Sequence, residues 1–361
     1  MKVALLAPVL SARDAVGNDV LAMAAALRED GHAVRLYAEH ATGLAEEVYA
    51  PSGLPDWLRD GADLVIYHCS IGWPRGVELL TRLRCRRVVR YHNITPPEFF
   101  YGISPAHVRA CAAGRAALPQ LVAVDAERWL PCSDFNAQDL LALGVPAARL
   151  DVLPPFHRIE ALRDTPPDPD VLDRYGGRAC TWLSVGRLAP NKDHATLLDA
   201  FALYLRQAEA DARLLIVGKH DGRLRRYTQR LRARIGGLGI GAHVHLLDDI
   251  SEAALKACYL VADALVIPSR HEGFCVPLAE AMALSVPVVA RDAGALAETL
   301  GDAGLVWHED DPRLYAASVA RLRRDAQARA ALTAAGRARY RTHYAPEVLV
   351  QRLLALLERP A

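Results

Sequence analysis

The chain has 361 residues, which at a typical size of roughly 150 residues per domain suggests two domains. Hydrophobic residues make up 52% and charged residues 24%, a balance that supports a large packed core and excludes a chain that is disordered throughout. The formal net charge is only +1, whereas proteins that bind nucleic acid through its phosphates usually carry a strong basic excess. Nucleic acid is therefore not an expected partner.

The cysteines and the apolar runs indicate the compartment. The seven cysteines are scattered and include no Cys-x-x-Cys pair, so neither a disulfide framework nor a zinc site is indicated. No run approaches the roughly 18 to 20 apolar residues that cross a bilayer. The apolar N-terminus contains Pro8 and lacks a basic region and a cleavage site, so we interpret it as a buried first strand. These features predict a protein of the reducing cytoplasm.

Short apolar, β-branched runs alternate with longer helical patterns along the chain, which predicts parallel βαβ units with helices on both faces of each sheet. Strands are predicted in the first half at Lys2–Ala7, Ala33–Ala38, Asp63–His68, Arg87–Tyr91, Trp129–Cys132 and Leu150–Leu153. They are predicted in the second half at Cys180–Val185, Arg213–Gly218, His243–Leu246, Ala264–Pro268, Val286–Ala290 and Leu305–Trp307. Helices are predicted at Asp19–Asp30, Ala106–Leu118, Asn136–Leu143 and Tyr344–Leu357.

A segment rich in proline and glycine, 153–177, interrupts this alternation and is interpreted as the connection between two domains. We therefore predict a first domain over residues 1–157, a linker over 158–177 and a second domain over 178–343. Two open α/β sheets joined in this way would form a cleft. Ligands of such sheets bind beyond the carboxyl ends of the strands, where the motifs described next are found.

One predicted strand-to-helix loop of the second domain carries two cations. The strand ends at Gly186 and the helix begins near Asp193 or His194, which places Arg187 and Lys192 at the carboxyl edge of the sheet. The planar guanidinium and the compact ammonium both suit phosphate oxygens, and the first turn of a helix adds free N–H donors. The alternative is that both residues are solvated loop cations.

A second loop follows the fourth predicted strand of the second domain. Gly273 permits close approach of the backbone to a ligand, and the N–H groups between Phe274 and Val276 would point at an anion. Glu272 in the loop and Glu280 in the following helix could bind sugar hydroxyls through charged hydrogen bonds of about 1.5–3 kcal/mol each. Alternatively, both glutamates are ordinary acids favoured by the helix dipole.

Together, Gly-Arg-Leu at 186–188 with Lys192, and Glu-Gly-Phe-x-x-Pro-x-x-Glu-Ala at 272–281, resemble the retaining glycosyltransferases of family GT4. Members of that family have the α/β GT-B fold, two Rossmann-like, doubly wound domains that face a central cleft. The resemblance covers the order of elements along the chain, with the motifs concentrated in the second half. It implies an acceptor-binding first domain, a donor-binding second domain and a C-terminal helix, about 344–361, that packs back onto the first domain.

The resemblance also assigns roles to residues. Arg187 and Lys192 would hold the diphosphate of a nucleotide-sugar donor. Glu272 would bond hydroxyls of the sugar, and Glu280 the ribose. The other donor contacts, largely through the main chain, would come from Ile250, Gly273, Phe274, Cys275 and Val276.

Two positions depart from the family pattern, which often has glycine where Cys275 and Asp193 stand. Cys275 is small, so its main-chain role survives, and the alternative for its side chain is an inert buried thiol. In the first domain, Gly17 resembles the glycine of the family's loop under the donor phosphates, although the usual paired glycines are absent. That loop is predicted to span residues 8–18.

His92 directly follows a predicted strand, where the family commonly has a histidine next to the donor sugar; the alternative is a hydrogen-bonded structural histidine. Glu98 is a candidate acceptor contact. Positive charge is also concentrated in a basic run of the first domain that could contact an anionic lipid surface. The basic run consists of Arg82, Arg84, Arg86, Arg87 and Arg90.

These observations predict a cytoplasmic glycosyltransferase, with peripheral contact at the inner face of the membrane as the alternative to a freely dissolved protein. It would move a hexose-type sugar from a GDP- or UDP-linked donor to a saccharide or lipid-linked saccharide acceptor, with retention of anomeric configuration. His92, Glu272, Arg187 and Lys192 would form the catalytic group. No metal cofactor is expected, because the cation pair can neutralise the leaving diphosphate. The alternatives are a sugar-nucleotide epimerase of the same fold and a catalytically inactive nucleotide-sugar binding protein.

Overall fold

The computed structural model describes residues 1–12 and 14–358, and the chain divides into two compact units. Unit 1 consists of Met1–Glu98, His107–Arg158 and Ala345–Ala361, and unit 2 consists of Phe99–Ala106 and Ile159–Tyr344. Position 13, in the predicted 8–18 loop, and positions 359–361 of the predicted C-terminal helix lie outside the described residues.

Each unit contains a six-stranded parallel sheet. The strands of unit 1 are β1 (Lys2–Ser11), β2 (Ala33–Thr42), β3 (Val48–Tyr49), β4 (Leu64–Cys69), β5 (Arg86–Tyr91) and β6 (Arg128–Pro131). Those of unit 2 are β7 (Thr181–Val185), β8 (Arg213–Val217), β9 (Val244–Leu247), β10 (Ala264–Ile267), β11 (Val288–Arg291) and β12 (Gly304–Trp307).

The helices surround these sheets. In chain order they are α1 (Ala15–Glu29), α2 (Leu54–Trp57), α3 (Pro74–Arg82), α4 (Pro105–Val122), α5 (Asp134–Ala142), α6 (Ile159–Asp164), α7 (Pro169–Tyr175), α8 (His194–Gln207), α9 (Arg225–Leu238), α10 (Glu252–Val261), α11 (Val276–Ala283), α12 (Leu296–Leu300), α13 (Pro312–Arg324), α14 (Ala326–Arg339) and α15 (Pro346–Glu358). The doubly wound α/β class expected from the alternation is confirmed.

The strand order locates the switch point of each sheet. It is β3-β2-β1-β4-β5-β6 in unit 1 and β12-β11-β10-β7-β8-β9 in unit 2. The order therefore reverses between β1 and β4 in unit 1, and between β7 and β10 in unit 2. In doubly wound sheets, ligands bind beyond the carboxyl ends of the strands at such a point. The two loops singled out in the second half of the sequence follow β7 and β10.

The core of unit 1 lies on both faces of its sheet. Along β1, Val3, Leu5 and Ala7 belong to one apolar cluster and Ala4 and Leu6 to another, because successive side chains of a strand point to opposite faces. The first cluster also contains four leucines of α15, so this helix packs in unit 1. A sheet covered on both faces explains why its strands read as continuous apolar runs.

Three elements differ from the sequence prediction by more than the position of an end. Strand β1 continues past Pro8 to Ser11, and α1 begins at Ala15, so Gly17 lies in the first turn of a helix and not in a loop. The predicted strand Leu150–Leu153 is not a full strand. It forms an isolated bridge from Leu150 to β6, and the N–H groups of Asp151 and Leu153 donate to carbonyls of β6 before two prolines without N–H donors follow. The short strand β3 was not predicted.

The predicted linker, 158–177, contains the helices α6 and α7, and both are grouped with unit 2. The proline that suggested a break, Pro169, is the first residue of α7, where its missing N–H costs nothing. The carboxylate of Asp168 caps this helix by accepting from the N–H groups of Asp170 and Val171. Proline here starts a helix and does not extend a linker.

The predicted basic run of the first domain does not form one exposed surface. Arg90 is completely buried in an ion pair with Asp19, and Arg86 is paired with Glu127. Arg87 donates to the main-chain carbonyls around it, which leaves Arg82 and Arg84 as the exposed members. Within the described residues, no helix is both long enough and apolar enough to span a bilayer.

Candidate active site

The loop after β7, residues 186–193, has an unusual backbone at both ends. Gly186 has φ of +148°, and a Cβ there would lie 3.3 Å from Cε of Lys192, so glycine allows the lysine stem to pack against the strand end. Residues Pro190–Lys192 form one 3-10 turn. Asp193 then adopts a left-handed conformation, with φ of +49°, and caps α8. The chain therefore turns sharply around Lys192.

The loop after β10 places Glu272 in a tight cradle. Its side chain is 9% exposed, and its carbonyl accepts from the N–H of Ala295 at 3.0 Å. Gly294 lies so close that an added Cβ would stand 2.4 Å from the Glu272 carbonyl oxygen. Gly294 was missed in the sequence analysis, although a glycine in the loop that follows β11 is a signal of a close backbone approach.

Three contacts of Asn191 and Lys192 join these two loops across the switch point. The Lys192 ammonium donates to Glu272 Oε1 at 2.6 Å, and both side chains are largely buried. The Asn191 amide donates to the carbonyl of His271 at 3.0 Å, and the N–H of Arg270 donates to the carbonyl of Asn191 at 2.8 Å. The structure thus brings together Lys192 and Glu272, the strongest candidates of the two motifs.

Arg187 differs from Lys192 in having no partner. Its side chain is exposed, and it forms no hydrogen bond or ion pair with any residue that the structure describes. The strand next to β7 carries another glycine that was missed, Gly218, where a Cβ would meet the Gly186 carbonyl oxygen at 1.8 Å. The backbones of the two strand ends are therefore so close that only glycine fits between them, while the Arg187 side chain next to them stays uncommitted, without a protein partner among the described residues.

The start of α11 presents main-chain donors, as the sequence predicted. The N–H groups of Phe274, Cys275 and Val276 have no hydrogen-bond partner among the described residues. Cys275, at the N-cap, has φ of +75° and caps the helix with no side-chain hydrogen bond. The left-handed backbone explains why glycine suits this position. Such a row of N–H groups at a helix N-terminus favours an anion.

The side chains around these donors are structural. The Phe274 ring packs edge-on against Tyr344, and its carbonyl accepts from Thr299. Burial raises the pKa of the Cys275 thiol well above its ordinary value, so the thiol stays protonated and unreactive at neutral pH. Of the two readings given to this cysteine, the inert buried thiol fits its surroundings. Gly273 lies between the Glu272 carboxylate and this helix start.

Glu280 and Ile250 occupy more peripheral positions. The Glu280 carboxylate accepts a hydrogen bond of 2.6 Å from the hydroxyl of Tyr259, and burial raises its pKa. Ile250 follows β9, the edge strand two places from β7, and is partly buried just before Ser251, which caps α10. The roles predicted for them, at the ribose and at the base, remain predictions.

In unit 1, Gly17 and His92 lie near the other switch point. An added Cβ at Gly17 would stand 2.0 Å from the carbonyl oxygen of Ser11, so only glycine lets α1 approach the end of β1. The main-chain N–H of His92 donates to the carbonyl of Cys69 at 2.9 Å, which continues the pairing of β5 with β4 by one residue. His92 therefore stands at the carboxyl edge, as predicted.

The surroundings of His92 were not predicted. Its Nε2 lies 3.0 Å from Nδ1 of His68 and 3.3 Å from Oδ2 of Asp19, and its Nδ1 lies 3.7 Å from the sulfur of Cys132. The two imidazoles are stacked, and the His92 side chain is 7% exposed. Nε2 of His68 has no partner among the residues that the structure describes, and a buried bare lone pair costs less than a buried N–H. We therefore assign the His68 proton to Nδ1, from which it is donated to His92.

Asp19 and Arg90 form the charged base of this cluster, and both are fully buried. The guanidinium donates to Oδ2 at 2.9 Å, and the N–H of Phe156 donates to Oδ1 at 2.6 Å. Burial alone would raise the pKa of Asp19, but Arg90 and the two histidines outweigh burial and lower it. A charge inside the apolar face of α1 is the sequence signal that could have identified Asp19.

Burial lowers the pKa of His92 to about 4, although Asp19 works in the opposite direction. The imidazole is therefore neutral at pH 7, and both of its nitrogens face protein partners. It cannot supply positive charge to a leaving group at that pH. The role at the donor sugar that the resemblance implied for His92 stays a prediction.

Two groups of residues could suggest a metal. Polar atoms of Asp19, His68 and His92 lie within 4.8 Å of one another, but a cation there would stand against the Arg90 guanidinium that already neutralises Asp19. The one Asp-x-Asp sequence, Asp168-Pro169-Asp170, is used to cap α7. Neither arrangement fits a catalytic metal with an open coordination position.

The two parallel, doubly wound sheets define a two-domain α/β protein. The charged side chains and the N–H groups at the switch point of unit 2 form its candidate site for an anionic ligand. Residues 178–339, most of unit 2, match the model of the family described as glycosyl transferases group 1. The resemblance inferred from the motifs around Lys192 and Glu272 is thereby confirmed.

Named relatives support the same assignment. The D-inositol 3-phosphate glycosyltransferase of Jonesia denitrificans is 32% identical over 179 residues, 48% of this chain and 42% of the relative. A GDP-mannose-dependent alpha-(1-6)-phosphatidylinositol monomannoside mannosyltransferase of Mycobacterium tuberculosis is 32% identical over 206 residues, 53% of this chain and 51% of the relative. The chain thus spans about half the length of the curated relatives that it matches.

The fold is shared over the whole chain with solved structures. The crystal structure of Anabaena HepE in complex with UDP and glucose superposes with a TM-score of 0.80 at 18% identity and covers 99% of both chains. The α/β architecture is that of GT-B glycosyltransferase structures, as the sequence motifs implied.

The left-handed backbone at Cys275 predicts an inverted order of stability. Glycine normally costs up to about 1 kcal/mol relative to alanine, but alanine retains the backbone strain at this position and glycine removes it. We expect Cys275→Gly to be at least as stable as Cys275→Ala in urea denaturation. The same pair at Cys258, inside α10, is the control and should show the ordinary order. A Cys275→Gly protein about 1 kcal/mol weaker than its alanine counterpart contradicts this reading.

The lowered pKa of His92 predicts a pH-dependent stability. Between pH 6.5 and about 4 the unfolded chain binds more protons at this residue than the folded chain, so stability falls as the pH drops. From pH 7 to 4.5 we expect the free energy of unfolding of His92→Asn to fall less than that of the wild type, by about 2 kcal/mol. His308→Asn, at a histidine with an 81% exposed side chain, is the control. Parallel curves for wild type and His92→Asn would refute the assignment.

Proposed function

We propose that the protein is a glycosyltransferase that moves a hexose-type sugar from a nucleoside-diphosphate sugar to a hydroxyl acceptor. The observation that carries this proposal is the pairing of Lys192 with Glu272 at the switch point of a group 1 glycosyl transferase domain. A cation for the diphosphate and a carboxylate for the sugar hydroxyls are held within 2.6 Å of each other. A nucleotide-sugar donor presents its diphosphate and its sugar hydroxyls side by side.

The reaction requires stabilisation of the negative charge on the leaving nucleoside diphosphate. As the anomeric carbon–oxygen bond breaks, negative charge grows on the phosphate oxygens. Lys192, the uncommitted Arg187 and the free N–H groups at the start of α11 are the donors available to meet that charge. Lys192 and the N–H groups are held in place by the fold before the substrate binds, which is the condition for electrostatic catalysis. We accordingly propose that the reaction needs no metal ion.

Retention of configuration is proposed to follow a front-face route. A double displacement needs a carboxylate nucleophile close to the anomeric carbon. Glu272 is the nearest candidate in its loop, but its Oε1 is held by Lys192. The leaving phosphate would then help to accept the proton of the incoming hydroxyl, and neutral His92 would contact the sugar without serving as the base.

The names of the similar proteins support a short list of donors and acceptors. One relative is named as GDP-mannose-dependent, and a structural neighbour holds UDP and glucose, so GDP- and UDP-linked hexoses are the donors that we propose. The relatives named above act on an inositol phosphate and on a phosphatidylinositol monomannoside. A saccharide or lipid-linked saccharide is our proposed acceptor, in polysaccharide, lipid-linked saccharide or glycoconjugate biosynthesis.

The nature of the donor can be tested with a thermal-shift panel of UDP, GDP, dTDP, ADP and CDP, each with and without EDTA. A ligand at one hundred times its Kd stabilises the native state by about 2.7 kcal/mol, which raises Tm. We expect a clear shift with UDP or GDP that EDTA leaves unchanged. A shift that disappears with EDTA contradicts the metal-free site, and the absence of any shift contradicts the donor assignment.

Turnover tests the cation assignment. Replacing Lys192 or Arg187 with alanine removes charge at the leaving diphosphate, and loss of one such donor costs roughly 100- to 1000-fold in kcat. Arg206→Ala, at an exposed arginine in the last turn of α8, is the matched control and should retain wild-type turnover. Full activity in Lys192→Ala refutes the phosphate role.

A product of inverted anomeric configuration refutes the front-face route, and donor turnover that needs no acceptor favours the epimerase.

A further inference from the structure

Four charged side chains form a closed ring at the carboxyl edge of the unit 2 sheet. Asp193 Oδ2 accepts from Arg270 Nε at 2.9 Å and from Arg291 Nη2 at 3.0 Å. Asp310 accepts from the same two arginines, at 2.5 Å from Arg270 and 2.6 Å from Arg291. Positive and negative groups alternate around the ring, so it is neutral, and each arginine bridges both carboxylates.

The members of the ring come from four neighbouring strands. Asp193 follows β7, Arg270 follows β10, Arg291 ends β11, and Asp310 follows β12. In the order of the sheet these strands are adjacent, so the ring ties together four consecutive strand ends. The pair of Asp193 and Arg291 is the buried half, with side chains 11% and 9% exposed.

The residue at position 193 is not dictated by its backbone. Its left-handed conformation, with φ of +49°, suits glycine better than aspartate. The carboxylate instead has four donors: the hydroxyl and N–H of Thr196 in α8 and the two arginines of the ring. An aspartate in this place therefore serves contacts that glycine cannot make.

The ring connects directly to the candidate donor site. Asp193 immediately follows Lys192, and Arg270 stands two residues before Glu272. Holding Asp193 against Arg270 and Arg291 fixes where the Lys192 turn lies relative to the Glu272 loop. We propose that Asp193 is a positioning residue, which acts through these arginines to hold the Lys192 ammonium where the donor diphosphate binds. The proposal rests on the proposed function.

A positioning role for Asp193 predicts a pattern of ligand binding that a purely structural role does not. Lys192 acts on the phosphates, so a displaced Lys192 weakens binding of a nucleoside diphosphate and leaves binding of the nucleoside unchanged. The effect of Asp193 must also vanish when Lys192 is absent, because residues that act through one another are not additive. General damage to the unit would instead weaken both ligands and add to the loss from Lys192.

The test is isothermal titration of wild type, Asp193→Asn, Lys192→Ala and the double variant with UDP and GDP. Uridine and guanosine are measured by competition. We expect Asp193→Asn to weaken diphosphate binding about tenfold, with nucleoside binding unchanged and no further loss in the Lys192→Ala background. Asp311→Asn is the control, since Asp311 also caps a helix and pairs with an arginine. Asp193→Gly, which suits the backbone, replaces Asp193→Asn should that variant fail to fold.

The outcomes separate the two proposals. If the wild type binds neither diphosphate, the proposed function fails and this inference fails with it. If the wild type binds one of them, three results overturn the inference alone: an unchanged affinity in Asp193→Asn, an equal loss for the nucleoside, or an independent loss in the double variant.

Discussion

The ion pair of Lys192 with Glu272 is the interaction around which the two loops of unit 2 are arranged. A lysine and a glutamate that are largely withdrawn from water must hold each other closely, since each alone would be an uncompensated buried charge. The neighbouring residues hold the two side chains at this short distance. Gly186 and Gly294 let the backbone approach, Asn191 joins the two loops, and the ring through Asp193 fixes their strand ends.

Unit 1 also buries an ion pair near the switch point of its sheet, but with different surroundings. Its buried charge, Asp19 with Arg90, lies under the switch point and carries two neutral histidines above it. The carboxylate there is saturated by a guanidinium and a main-chain N–H, so it orders the cluster and leaves no charge for a ligand. In unit 2 the paired charges of Lys192 and Glu272 lie at the carboxyl edge of the sheet, and the exposed Arg187 next to them has no partner among the described residues. The two sheets share a topology, and they place opposite kinds of chemistry at the corresponding edge.

Much of this arrangement could be read from the sequence because parallel strands bring their carboxyl ends to one edge. Lys192 and Glu272 are 80 residues apart, yet both follow buried strands, and that fact sufficed to predict the loops that carry them. What could not be read was any contact that depends on strand order. The ring needs β12, β11, β10 and β7 to be neighbours, and no local pattern reports that.

The misplaced features have physical causes of the same kind. Gly17 was placed in a loop because Pro8 ordinarily ends a strand, whereas the pairing of β1 with β2 resumes one residue later. The cluster around His92 was missed because a buried aspartate and arginine look like ordinary surface charges until their partners are known. Cys275 was recognised as a departure, but its left-handed backbone is a property of conformation alone.

The return of α15 to unit 1 has a consequence for the order in which the protein is made. Unit 1 begins with the first strand, yet the leucines of α15 that complete one face of its core follow the whole of unit 2 in the chain. During synthesis, unit 2 is available in full while the first sheet still lacks part of its cover. Domains generally fold as they leave the ribosome. Here the unit that starts first is finished last, and one apolar face of its sheet lacks part of its cover until α15 has been made.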